Sequence, residues 1–87
     1  MGRRKSQSLA SKSRSIDLHG LTVDEAKTTL INTIDKCLLD DIDELRVIHG
    51  FGTGKVKDAV QRLLTSMKQV KEFKAQIGND GVTIVYL

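Results

Sequence analysis

An 87-residue chain with 39% hydrophobic and 29% charged residues can bury one small core and not two, and its 3% aromatics (Phe51, Phe73 and Tyr86) exclude an aromatic sheet on which single-stranded bases stack. The net charge of +3 is uneven: residues 1–15 hold five bases and no acid, which leaves −2 for residues 16–87. No apolar run approaches the ~20 residues of a membrane span, no apolar stretch follows the basic N-terminus to make a secretory signal, and the single Cys37 cannot close an internal disulfide, so the expected setting is cytoplasmic, without a membrane partner.

Met1–Ser15 is rich in Ser, Lys and Arg and reads as a disordered basic linker or tail, suited to the end of a longer parent protein. The folded domain is expected over residues 16–87. Ile16–His19 alternates apolar and polar residues as a short strand does, and leads to Gly20. Thr22 then stands three residues before Glu25, the spacing of a capping box, with Leu21 placed to staple the turn. Val23, Ala26, Leu30, Ile34, Cys37 and Leu38 follow at helical spacing, and the helix should end near Asp40. Leu45–His49 is the second strand. Thr53 or Gly54 opens a second helix with Val56, Val60, Leu63, Leu64 and Met67 as its buried stripe. Val70–Ile77 is a third strand, Gly78–Gly81 a hairpin turn and Val82–Leu87 a fourth strand. The order is β-α-β-α-β-β.

A strand–helix–strand connection favours parallel pairing with a right-handed crossover. The first two strands then end at one edge of the sheet, with His19 and His49 side by side. Behind His49 runs Gly50-Phe51-Gly52-Thr53-Gly54-Lys55. Alternating glycines leave the backbone free to take positive φ and bare its N–H groups, and a helix opening behind them adds more, so the loop is a candidate phosphate seat. Gly50–Ala75 also holds six bases against two acids, which suits a polyanion. Two nucleotide readings fail on spacing. The dinucleotide fingerprint lacks its third glycine at the right offset, and a Walker loop would need four residues between its outer glycines and Ser or Thr where Val56 stands. No bound nucleotide cofactor is expected.

Asp17 and His19 lie two apart on a strand and so share a face. An aspartate beside a histidine fixes its tautomer for proton transfer, and His49 would be the second proton carrier. Two histidines suffice to cleave a phosphodiester, with the glycine loop and Lys55 stabilising the developing charge. A metal reading stays open: Asp17 and His19, joined by His49, could hold a divalent ion such as magnesium or manganese, although the spacing matches no metal motif. Phe51 either stacks on a base or sugar or folds back over the helix. Lys57 joins Lys55 as a candidate phosphate contact. Cys37, set among Ile34 and Leu38, reads as core.

Ile16-Asp17-Leu18-His19-Gly20 resembles the Leu-Asp-x-His motif of the Smr (small MutS-related) domain, and His49-Gly50-Phe51-Gly52-Thr53-Gly54 resembles its His-Gly-x-Gly-x-Gly motif. The likeness covers Ser15–Leu87, and the chain ending is similar to that of a bacterial MutS paralogue carrying Smr at its tail; a stand-alone small Smr protein is the alternative. The resemblance implies an α/β (α+β) two-layer sandwich like the C-terminal domain of translation initiation factor three, with both helices on one face of a mixed sheet of order 1-2-4-3. It implies nicking of DNA or cleavage of RNA, in repair and recombination or on ribosomes, within a parent protein for which a dimer is one assembly. It carries Asp17 and His19 over to the first motif, and His49, Gly50, Gly52 and Gly54 to the second. Some members have Arg at the place of His19, so His19 is open to a phosphate-binding role. The rival to an endonuclease is a non-catalytic module that binds nucleic acid or the ribosome.

Overall fold

β1 (Ser13–Asp17) runs parallel to β2 (Glu44–Ile48), pairing Ser13 with Glu44 through Asp17 with Ile48. The structure, a computed structural model, describes residues 12–87. Between the two strands lies α1 (Val23–Leu39), and after them come α2 (Lys55–Ser66), β3 (Glu72–Gln76) and β4 (Asn79–Tyr86). The sheet order is β1-β2-β4-β3, with β4 antiparallel to both of its neighbours. This is the mixed sheet expected of the sandwich.

Alternation decides which face the helices cover. Leu45, Val47 and Val85 point inward with no exposed area and meet Ala26, Leu30, Ile34 and Cys37 of α1 and Val60 and Leu64 of α2. The opposite face carries a polar lattice, in which Arg46 donates twice to Gln76 (3.0 and 2.8 Å) and Lys74 Nζ stands 5.4 Å from the Tyr86 ring centre. Burial pushes the Cys37 thiol up, which keeps it protonated and inert. No helix among the described residues is long and apolar enough to cross a membrane.

The two helices start in opposite ways. α1 has the full capping box: Thr22 Oγ1 accepts from the Glu25 N–H (3.1 Å), and Glu25 Oε1 accepts from the Thr22 N–H (2.9 Å). Thr22→Ala should therefore destabilise the fold by about 0.5–2 kcal/mol, read as a lower urea midpoint at unchanged slope. α2 has no such cap. Gly54 takes the N-cap position at φ 85°, a left-handed conformation, and supplies no side chain. Of the two starts the sequence offers, Thr53 and Gly54, the structure takes Gly54, without a side-chain cap.

The bounds of all four strands move. β1 begins at Ser13 rather than Ile16, because the ladder to β2 recruits Ser13, Arg14 and Ser15 although they have no apolar pattern. Residues 1–11 of the expected tail lie outside the described residues. β2 is shifted back by one residue, and β3 shrinks to Glu72–Gln76. β4 starts at Asn79, since Gln76 pairs with Asn79 and only Ile77 and Gly78 turn the hairpin, with a register shift at Ala75/Gln76. Leu38 also departs from the expected stripe and is 41% exposed, because the buried row of α1 ends on Cys37.

Candidate nucleic-acid-cleaving site

The end of β1 reads Asp17-Leu18-His19, and alternation sets its three side chains. Leu18 is fully buried, while Asp17 and His19 turn outward on either side of it. The Leu18 N–H donates to the Ile48 carbonyl at 2.7 Å, one step beyond the formal strand. His19 itself has left the ladder. It stays beside Asp17 through two bonds to one carboxylate oxygen, from its backbone N–H (3.0 Å) and from ring Nδ1 (2.6 Å).

Those bonds hold the Asp17 carboxyl below the usual carboxylate range, the ring contact contributing most and the backbone N–H next. An ionised carboxylate only accepts, so Nδ1 carries the proton and Nε2 is the ring nitrogen left for another partner. The sign follows for pH. Any stabilisation from this pair is complete above the ordinary carboxylate value and is lost as pH falls through the lowered one. A carboxyl ¹³C titration should place Asp17 below the usual carboxylate range, and His19→Ala should bring it part of the way back, because the backbone N–H of residue 19 still donates.

His19 meets the glycine loop at Gly50. A Cβ on Gly50 would lie 3.2 Å from His19 Cβ, and Gly50 sits at φ 76°, so glycine is required on both counts. One cavity of about 510 Å³ takes in His19, Gly50, Gly52, Gly54, Lys55 and Lys57. Around its rim, Thr53 Oγ1 reaches the Lys55 N–H at a long 3.4 Å, and Phe51 remains 72% exposed. Phe51 does not lie over α2; it stands against β4, where a Cβ on Gly81 would come 3.3 Å from ring Cε2.

His49 sits differently. It is 5% exposed, with Nε2 2.9 Å from Thr83 Oγ1 and Nδ1 3.1 Å from the Gly50 carbonyl. A carbonyl only accepts, so Nδ1–H donates to it, and Nε2 is left to bond the Thr83 hydroxyl. Both ring nitrogens are therefore engaged inside the protein. Among the described residues no three His, Cys, Asp or Glu side chains gather into a metal site.

The family model of the Smr domain matches residues 16–87. The chain belongs to the Smr family. Endonuclease MutS2 of Lactobacillus acidophilus is 43% identical over 75 residues, which cover 83% of this chain and 10% of that protein. Endonuclease MutS2 of Streptococcus mutans is 39% identical over 84 residues, 93% of this chain and 11% of that protein. The chain thus spans about a tenth of the length of the curated relatives it matches. In structure, the Smr domain of Thermus thermophilus MutS2 superposes with a TM-score of 0.82 at 33% identity, over 84% of this chain and 95% of that one. YdaL, a stand-alone small MutS-related protein from Escherichia coli, gives 0.79 at 26% identity, over 87% and 67%.

Two residues of this Smr domain escaped the sequence reading. Thr83, 1% exposed, holds His49; the signal was an aliphatic hydroxyl inside the apolar run Val82–Leu87. Gly81 accepts at its carbonyl from the N–H groups of both His49 (3.0 Å) and Gly50 (3.1 Å). Nothing in a hairpin glycine announces that.

Proposed function

We propose that this Smr domain is a nucleic-acid endonuclease module that cleaves phosphodiesters with little sequence preference. The observation that carries the reading is the exposed Asp17–His19 pair, whose histidine lines one cavity with a glycine loop that opens α2 without a side-chain cap. The loop N–H groups and Lys55 seat the scissile phosphate, with Lys57 beside them and Phe51 against a base or sugar. His19 Nε2 takes the proton of the attacking hydroxyl, from water or from a ribose 2′ position. The phosphorus–oxygen bond on the far side breaks, and water returns a proton to the departing oxygen. Asp17 fixes the His19 tautomer. His49 acts as a positioning residue that ties the Gly50 carbonyl to β4. Contacts of this kind read the backbone and not the bases, which gives low sequence preference. The relatives named endonucleases support the same reading.

Asp17 and His19 would both reach one magnesium or manganese ion only by giving up their bond at Nδ1; as arranged, a divalent ion would meet one of the two, with water and the substrate phosphate as its other ligands. A bound ion would supply charge stabilisation at the phosphoryl oxygens.

One observation favours a non-catalytic binding module: the side chains of His19 and Asp17 are 70% and 52% exposed, so solvent screens the pair. Incubation with supercoiled plasmid and with single-stranded RNA, each with and without EDTA, separates the two. Cleavage above a His19→Ala control purified in parallel supports the endonuclease, and the better substrate assigns DNA or RNA. Binding without cleavage supports the module that targets a parent protein to branched DNA or to the ribosome.

A further inference from the structure

A second cavity of about 530 Å³ lies between α1 and α2, floored by Val23 and Leu63 and lined by Lys27, Lys55, Arg62 and Asp58. Both helices follow parallel strands and start at the sheet edge that holds the glycine loop. Lys55 lines both cavities, so the two adjoin at that residue. Lys55, Asp58 and Arg62 recur at helical spacing on one face of α2, the outer two about 10.5 Å apart along the axis. Among the described residues, the side chains of Lys27, Lys55 and Arg62 enter no ion pair or hydrogen bond. Arg14 and Arg46, by contrast, are committed to Asp40 and Gln76. The other flank of α1 is acidic, with Asp24 and Glu25 lining its shallow cleft.

We infer that this interhelical groove is a second phosphate subsite, which takes the nucleic-acid backbone next to the phosphate held by the glycine loop. The inference rests on the reading of that loop as a phosphate seat. A strand held there is repelled along the Asp24–Glu25 side of α1 and drawn along the groove, where Lys27 and Arg62 face it from opposite helices. Asp58 is the acid in its path and weakens the grip.

The test is fluorescence anisotropy of labelled single-stranded oligothymidylate and oligouridylate across a salt series, in a His19→Ala background so that the probe stays whole. The double variant Lys27→Gln/Arg62→Gln should lower the slope of log affinity against log salt by about 0.7–1.4, one to two single-strand phosphate contacts. Lys36→Gln/Lys68→Gln removes the same charge away from the groove and should leave the slope near its starting value. Asp58→Asn should tighten binding, an effect that misfolding cannot imitate. A groove variant that tracks the control, with Asp58→Asn flat, overturns the subsite. If the unmutated domain also cleaves, the endonuclease reading survives that result. If the slope falls as expected in a domain that cleaves nothing, the subsite stands and the endonuclease reading fails. No measurable affinity in the His19→Ala background and in the unmutated domain alike, with no cleavage by the latter, overturns both.

Discussion

Replacing His19 by alanine should slow strand cleavage by roughly 10²- to 10⁴-fold, the usual worth of a placed proton carrier, with little change in thermal stability. The small structural effect follows from exposure, since 70% of the His19 side chain faces solvent. Asp17→Asn tests the same step from behind. An amide can offer Nδ1 a donor where the carboxylate offers only acceptors, and the ring proton then moves to Nε2, where the base is needed. Single-turnover kinetics give the decisive split. A fall in kcat assigns proton transfer, whereas a rise in KM alone assigns His19 to holding the phosphate.

Leu18→Ala should be the most damaging change to the fold near the site, at about 2–5 kcal/mol, because it empties a fully buried leucine position. For a domain of this size each kcal/mol lowers the midpoint by roughly 4–8 °C, so melting should fall by tens of degrees at the upper end. Cleavage should fall as well, even where the protein remains folded. Leu18 is the anchor that turns both Asp17 and His19 outward, and without it the strand end has no reason to keep them level. Calorimetry and cleavage on the same preparation check both effects.

Most of the fold was legible because its signals are local. The Thr22–Glu25 spacing fixed the start of α1, and the apolar rows of both helices led to the buried faces that are found. Placement of Asp17 and His19 at the loop followed from chain connectivity alone, since a right-handed crossover brings both strand ends to one edge. What was not legible depends on partners distant in sequence. Ser13–Ser15 join β1 only because β2 offers a ladder. His49 looked interchangeable with His19, each being a strand-end histidine before glycine. The difference lies in Thr83, 34 positions away, which captures one ring nitrogen. The start of α2 falls on Gly54, one of the two positions the sequence offered, but its lack of a side-chain cap shows only in the structure.

The Gly81 carbonyl, which accepts from two successive N–H groups at the base of the glycine loop, makes the β3–β4 hairpin a spacer of fixed length. Surface hairpins commonly tolerate insertions at their tips. Here an added or deleted residue between Gln76 and Gly81 would disturb the approach of that carbonyl, which the pairing of β4 with β2 from Val82 onward holds against His49 and Gly50. Length variation in this domain should therefore collect in the connections at the far edge of the sheet, after α1 and α2, and spare a turn that resembles an ordinary solvent loop.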